Sequence, residues 1–333
     1  MDFSLSSSLT GNAVLSNDKL SLDLQFAADK TLTARKGPTP VFTRASTATF
    51  VGSNGLIQSA AINAPRIDYN PVTLECRGLL MEQSRTNLVF PSATLTTQTC
   101  TVTAVAHTLS FYGTGTVVLS GAAVATVAGT GAYPTRTTLT FTPTAGSLIL
   151  TVTGSVTEAQ LEAGATATSY IPTTTGSVVR SVDLCSITGS DFTAVYNQSE
   201  VSIFSELEFQ ENIGSAVVHC NNGSANEVLA LAQFSSPSRL AIFVVDGGVS
   251  QAAINANTNL NQVYKTAISA KLNSFQFVLN GVLGTKDTSG TMPTSTQISI
   301  GKTQTAVHFT GRIKQIKIFR KQLSDSKLQA LTV

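Results

Sequence analysis

The chain has 333 residues, of which 12% are charged and 42% apolar, and its formal net charge is +2. About a quarter of the residues in an ordinary soluble protein are charged, so this chain is poor in the side chains that cover exposed helices. A surface rich in Thr and Ser favours strands, because β-branched side chains pack well on a pleated face. The small net charge argues against nucleic-acid binding, which requires a strong positive field.

Membrane insertion and export are not predicted either. No run of about 18 apolar residues occurs, and the first residues lack the basic and apolar regions of a signal peptide. The 4 cysteines include no C-x-x-C pair, so we expect free and mostly buried thiols. They are Cys76, Cys100, Cys185 and Cys220.

The first 90 residues predict a strand, a linker and a hairpin. Residues 1–40 contain one alternating apolar run from Leu20 to Phe26, followed by a proline-containing connection, which indicates an N-terminal attachment strand and linker. In residues 41–90, Asn54 and Gly55 separate two apolar pairs. Both turn residues tolerate positive φ, so this segment is predicted to be a hairpin-containing module.

Two sandwiches are predicted after the hairpin module. Residues 91–182 consist of short alternating strands with glycine-rich turns, which is typical of a jelly roll, and only 158–162 is compatible with a helix. Residues 183–333 repeat the pattern with longer strands, and Ser324 is predicted to cap a short terminal helix. The fold class is therefore all-β, with tandem antiparallel β-sandwiches after an N-terminal attachment segment.

Residues 42–92 contain four short motifs. They are R-A-S-x-A-T at 44–49, P-R-x-D-Y at 65–69, G-L-L-x-E at 78–82 and R-T-N-L at 85–88. In this order they resemble a module of tailed-phage and prophage virion proteins.

Two further resemblances concern the sandwiches. Residues 109–121 and 138–173 are similar to jelly-roll modules of the kind that carbohydrate-binding modules use, and 309–332 is similar to the end of a concanavalin-A-like, laminin-G-like sandwich. Together the resemblances imply a structural protein of a phage virion: a head fibre, a tail fibre or a capsid decoration. They imply other virion proteins, further copies of the chain (a trimer, for example) and a host-surface glycan as partners.

The charged residues of the 41–90 module are candidates for a junction. Buried arginines and carboxylates can fix irregular backbone through bidentate hydrogen bonds, so we expect them to set packing between domains or subunits. These residues are Arg44, Arg66, Asp68, Glu82 and Arg85.

Glycan contact is predicted for two tyrosines of the jelly roll. Alternation places Phe111 in the core and Tyr112 outside, and Tyr133 lies in a loop. Packing is the competing role for both tyrosines. A non-viral carbohydrate-binding or adhesion protein is the alternative function that uses the same sandwiches.

Catalysis is not expected, although one string resembles an enzyme motif. Glu206, Glu208 and Glu211 resemble the E-x-D-x-x-E spacing of concanavalin-A-like β-glucanases, with Glu in place of Asp. Alternation places Glu206 and Glu208 on one face, where they are expected to be solvent-facing. A glycoside hydrolase is therefore only a further alternative. No cofactor is predicted, and a structural Ca²⁺ is compatible with the sequence but leaves no ligand signature.

Overall fold

The computed structural model describes residues 19–305 and 307–333. Residues 1–18 of the predicted attachment segment lie outside the described residues. The elements of the first part of the chain are β1 Leu20–Leu24, α1 Phe26–Asp29, β2 Val41–Thr43, β3 Ala48–Val51, β4 Ile57–Ala60, β5 Ile67–Tyr69, β6 Cys76–Met81, β7 Arg85–Asn87, β8 Gln98–Val102, β9 His107–Tyr112, β10 Thr116–Gly121, β11 Ala125–Ala128, β12 Thr137–Phe141, β13 Gly146–Thr153, β14 Thr157–Ala163 and β15 Val178–Arg180.

The second part of the chain has longer strands. Its elements are β16 Leu184–Thr188, α2 Gly189–Val195, β17 Glu200–Phe209, β18 Ala216–Asn221, β19 Val228–Ser235, β20 Ser238–Asp246, β21 Val249–Asn257, β22 Val263–Lys271, β23 Ser274–Leu279, β24 Val282–Leu283, β25 Gln297–Ile300, β26 Gly311–Phe319 and α3 Asp325–Thr332. The predicted all-β class with tandem antiparallel sandwiches is confirmed. None of the helices in the described part of the chain is long and apolar enough to cross a bilayer.

The chain divides into two compact units. The inserted unit is Phe42–Asp183, and the split unit combines Met1–Val41 with Leu184–Val333. The predicted 41–90 module and the predicted 91–182 sandwich thus fall largely in one unit. Within the split unit, β1 pairs antiparallel with β26.

A sandwich forms most of the inserted unit. One sheet has the strand order β11-β10-β13-β8 and the other has the order β12-β9-β14, and the strand pairs are antiparallel. Alternate residues of these strands face a common core, as the period of 2 requires. The core includes Val89, Leu95, Val102, Leu109, Phe111, Val117, Leu119, Leu148, Leu150 and Leu161.

The predicted hairpin is confirmed, and the one segment of the predicted jelly roll that is compatible with a helix is a strand. Strands β3 and β4 pair with Val51 opposite Ile57, and Gly55 in the turn has φ +75°. Residues 158–162 lie in β14, which pairs with β9 across a bulge between Thr157 and Gln160. Pairing with the central strand outweighs the helix propensity of this short segment.

The split unit contains the second sandwich. One sheet runs β24-β23-β22-β17-β26-β1, and the second sheet runs β16-β25-β18-β19-β20-β21. Residues of β19 and β20 alternate: Leu229, Leu231 and Ile242 are fully buried on the core side of the second sheet. The other face of these strands is therefore free to form a surface feature.

Two smaller predictions concern the end of the chain and the thiols. Helix α3 follows Ser324 as predicted, although the Ser324 side chain makes no capping hydrogen bond. Leu328 of this helix is fully buried. The cysteines are free and, apart from the half-buried Cys76, buried, which confirms that prediction.

Candidate functional site

A groove lies on the outward face of the second sheet of the split unit. The register places His219, Ala230 and Phe243 in one row across β18, β19 and β20. Because the floor residues are small, the groove has a volume of about 510 Å³. The floor consists of Ala216, Val228, Ala230, Ala232 and Val245.

Two aromatic rings form one wall of the groove. Phe234 and Phe243 pack edge to face, with ring centroids 5.7 Å apart. Arg239 stacks on the Phe234 ring, its guanidinium carbon 5.6 Å from the ring centroid. Edge-to-face packing holds aromatic rings in a preferred geometry, so this wall is a preformed apolar surface.

His219 contributes a neutral imidazole to the groove. The amide of Asn221 donates from Nδ2 to His219 Nδ1 at 2.8 Å. The orientation of this amide is fixed, because its Oδ1 accepts from Gly223 N–H at 2.8 Å and from Gln297 Nε2 at 2.7 Å. Burial, and to a smaller extent the charge of Lys302, lowers the pKa of His219 to about 4. The ring is therefore neutral at pH 7, with its proton on Nε2.

Two glutamines differ in how well their polar atoms are satisfied. Gln233 donates from Nε2 to Glu211 O at 2.8 Å and accepts from Ser215 Oγ at 3.1 Å, so it is held in place. Gln304 lines the same groove, and its Oε1 is buried without a partner among the described residues. A buried acceptor without a donor is costly, so Gln304 Oε1 is ready to accept a hydrogen bond from a bound molecule.

The groove is uncharged. None of the described residues that line it is Asp, Glu, Lys or Arg. Sequence reasoning missed this feature. The available signal was the segment 228–234, V-L-A-L-A-Q-F, whose alternation gives one face of large residues and a second face with Ala230 and Ala232.

The two predicted glycan-contact tyrosines lie together on the inserted unit. Tyr112 lies on the face of β9 opposite to the core residue Phe111, as alternation predicts, but its side chain is only 7% exposed, so the expected solvent exposure is wrong. Its strand is covered on the second face, where Arg136 donates to Ser110 Oγ at 2.8 Å. The half-buried Tyr133 ring lies 5.2 Å from the Tyr112 ring, and its hydroxyl donates to Gly55 O at 2.5 Å. Glycan contact by these tyrosines stays a prediction.

Three of the five predicted junction residues meet in a buried ionic network of the inserted unit. Asp183 bonds Arg44 at 3.1 Å and Arg66 at 2.5 Å. Glu82 bonds Arg66 at 2.7 Å and lies 3.0 Å from Arg180. Each of these five side chains is at most 1% exposed. The sequence prediction missed Arg180 and Asp183, which are distant in sequence from the other three.

Glu82 is ionised at the centre of this network. Burial alone would raise the pKa of Glu82, but Arg180 and Arg66 together with the Ser169 hydrogen bonds hold it well below its ordinary value. Ser169 donates through its backbone N–H at 2.8 Å and through its hydroxyl at 2.7 Å. The network therefore ties the 41–90 module to the segment 168–183 within one unit.

The other two predicted junction residues lie outside this network. Asp68 accepts from Val51 N–H at 2.8 Å and so supports the hairpin. Arg85 Nε lies 3.6 Å from Glu162 Oε2. Its guanidinium lies against Gly164, where an added Cβ would be 2.6 Å from an arginine nitrogen. Packing between subunits through any of the five residues stays a prediction.

The three candidate catalytic carboxylates are held by neighbouring residues. Glu206 lies 3.8 Å from Lys314 and accepts from Gln315 Nε2 at 2.7 Å. Glu208 lies 4.0 Å from Arg312 and is buried, so its predicted solvent-facing position is wrong. The second face of β17 is covered in part, since Phe204 packs with Leu323 and Leu328 near the end of the chain. Glu211 is buried as well.

In residues 19–305 and 307–333, no group of three or more His, Cys, Asp or Glu side chains is arranged to hold a metal ion. The structure thus adds no ligand set to the calcium prediction.

Comparison with known proteins places the chain near glycan-related structures at low similarity. No protein-family model and no curated protein sequence matches it. The CBM40 domain of Ruminococcus gnavus IT-sialidase bound to α2,3 sialyllactose is 17% identical, with 41% of this chain and 84% of that chain covered and a TM-score of 0.36.

Two further similar structures are larger than the region that they share with this chain. The binding domain of botulinum neurotoxin DC in complex with SialylT is 15% identical, with coverages of 45% and 39% and a TM-score of 0.35. The leech intramolecular trans-sialidase is 15% identical, with coverages of 44% and 26% and a TM-score of 0.38. Similarity at this level assigns no ligand and no activity to this chain.

Proposed function

We propose that this chain is a glycan-binding adhesion protein that forms part of a tailed-phage virion. The adhesion part of the proposal rests on one observation, the groove on the second sheet of the split unit. Its volume, its preformed aromatic wall and its few polar groups fit the general character of small-ligand sites.

The chemistry of the groove matches a sugar. The apolar floor and the Phe234 and Phe243 rings suit the C–H faces of a pyranose, while His219 and Gln304 offer hydrogen bonds to hydroxyl groups. A single groove of this kind is a weak site. Several copies on one particle would bind tightly through avidity, which is how an appendage attaches to a surface.

The virion part of the proposal is supported by the motifs at 44–49, 65–69, 78–82 and 85–88. Two residues of these motifs, Arg66 and Glu82, are central to the buried network. Their burial supports a structural role for the module, as a virion component requires.

Binding without catalysis is the mode of action that we propose. Glu206 and Glu208 are paired with cationic side chains of β26, and neither lines the groove. The paired carboxylates of a glycosidase must instead flank the bond that they cleave.

A glycan array tests the adhesion proposal. The full chain is compared with Phe243→Ala, which removes part of the wall, and with Tyr133→Ala, which alters the tyrosine pair. We expect Phe243→Ala to weaken glycan binding at least tenfold and Tyr133→Ala to leave it within twofold. Binding lost only in Tyr133→Ala would move the site to the jelly roll, and an array without any signal would refute the adhesion proposal.

Cryo-electron microscopy of the producing particle tests the virion proposal. Density for this chain on a capsid or tail is the expected result and would identify its position. If the chain occurs on no particle, the non-viral adhesion protein becomes the better description.

A further inference from the structure

We infer that the groove selects neutral glycans and discriminates against sugars that carry a carboxylate. This inference rests on the proposed function, because it concerns the ligand class of the same groove. It combines two observations: the uncharged lining, and a buried acceptor, Gln304 Oε1, that has no hydrogen-bond partner among the described residues.

The uncharged lining disfavours an anion. A carboxylate that enters the groove loses part of its hydration, and the described lining residues include no Lys or Arg to replace it. His219 does not serve as a cation either, because its Nδ1 accepts from the Asn221 amide. The free energy of desolvation is therefore not compensated.

Two cations lie near the groove without lining it. Arg239 stacks on Phe234, the residue opposite to it in the register of β19 and β20. Lys302 is near enough to influence His219 and forms a backbone bridge with His308. Both supply a long-range positive potential, which salt screens, but neither is among the residues that contact the groove volume.

The polar groups of His219 and Gln304 favour a hydroxyl over a carboxylate. Gln304 Oε1 is a buried acceptor without a donor among the described residues, and His219, whose Nδ1 accepts from Asn221, carries its donor on Nε2. A sugar hydroxyl both donates and accepts, so hydroxyl groups satisfy both atoms. An ionised carboxylate only accepts, so it leaves Gln304 Oε1 unsatisfied and places a second negative atom beside it.

The test compares matched oligosaccharides by isothermal titration calorimetry with the full chain. Each pair consists of a neutral oligosaccharide and a counterpart that carries one carboxylate-bearing group; lactose with 3′-sialyllactose, which adds a sialic acid residue, and chitotetraose with a counterpart that has one lactyl ether are suitable. We expect the acidic member to bind at least tenfold more weakly. An acidic member that binds equally or more tightly would overturn the selectivity but not glycan binding, whereas no binding by any member or by the array would overturn both.

A single substitution should invert the preference. Gln304→Lys replaces the unsatisfied acceptor with a cation, and we expect it to raise the ratio of acidic to neutral affinity at least tenfold. Gln262→Lys, at an exposed position outside the groove, adds the same charge as a control and should leave the ratio within twofold. Equal changes in both variants would show that net charge, and not the groove, determines the preference.

Discussion

The inserted unit and the split unit bury polar side chains in opposite ways. In the inserted unit, the network of Arg44, Arg66, Glu82, Arg180 and Asp183 is charged, closed to solvent and internally paired. In the split unit, the groove is neutral and open, and it contains one buried acceptor, Gln304 Oε1, without a partner among the described residues. The difference indicates which polar groups hold the backbone and which remain available to a ligand.

The energetic logic of the two regions differs in the same way. A buried ion pair adds little net stability relative to an apolar replacement, but removing one partner leaves an uncompensated charge. A neutral polar group without a partner costs less than an unpaired buried charge, because its desolvation penalty is smaller. The network should therefore be sensitive to substitution in stability and the groove should be sensitive in binding.

The largest effect is expected for Arg66→Met. This change leaves Glu82 and Asp183 without one cation each, and we expect the free energy of unfolding to fall by about 3–5 kcal/mol. Urea unfolding followed by hydrogen-exchange mass spectrometry measures the loss and locates it in the inserted unit.

Arg35→Met is the matched control. Arg35 bonds Asp29 at 2.6 Å, but the two side chains are 52% and 26% exposed. An exposed pair of this kind contributes less than about 1 kcal/mol. Equal losses in the two variants would contradict the distinction between the closed network and an exposed pair.

The sequence predicted local structure better than it predicted the buried ionic network or the groove. The hairpin around Asn54 and Gly55 depends on neighbouring residues and was predicted correctly. The partners Arg180 and Asp183 could not be predicted, because contacts over about 100 residues depend on topology and not on spacing. Tyr112 was expected to be exposed, but it is buried. Alternation assigns a residue to one face of β9 and does not show that a later segment, which includes Arg136, covers that face.

The groove shows the same limit. Alternation in 228–234 identifies Ala230 and Ala232 as one face, but only the pairing of β18, β19 and β20 brings them beside His219. Gln304 arrives from a distant loop. The small residues of the floor could therefore be recognised in the sequence pattern, while the polar residues His219 and Gln304 could not be assigned to the groove.

A second prediction concerns pH and sharpens the description of the groove as neutral. His219 has a pKa of about 4 in the folded chain against an ordinary value of 6.5. Between these values the unfolded chain binds a proton that the folded chain does not, so stability falls as the pH falls. We expect the titration of His219 to lower the free energy of unfolding by about 2 kcal/mol between pH 7 and pH 5.

Urea unfolding of the full chain and of His219→Gln at both pH values measures this contribution. The variant should lose correspondingly less stability on acidification. The pH stays at 5 or above so that Glu82 does not contribute. Its pKa is lowered in the folded chain from an ordinary value of 4.5, so it removes stability only when the pH falls below about 4.5. An identical pH dependence in the two proteins would contradict a neutral, buried His219.

The smallest effect is expected for Glu206→Gln, at a site intermediate between the two regions. Glu206 is charged like the network but half-buried like the groove, and Lys314 and Gln315 contact it. Because the distance to Lys314 is long and glutamine keeps an oxygen that accepts from Gln315, we expect a loss below about 1 kcal/mol and glycan affinity within twofold of the unmodified chain. Calorimetry measures the stability and the glycan affinity, and a reducing-sugar assay on the same samples measures glycan cleavage. Glycan cleavage by the full chain that disappears in Glu206→Gln would instead identify β17 as a hydrolytic centre. The carboxylates of this strand would then have a catalytic role, and their pairing with cations of β26 would not be only structural.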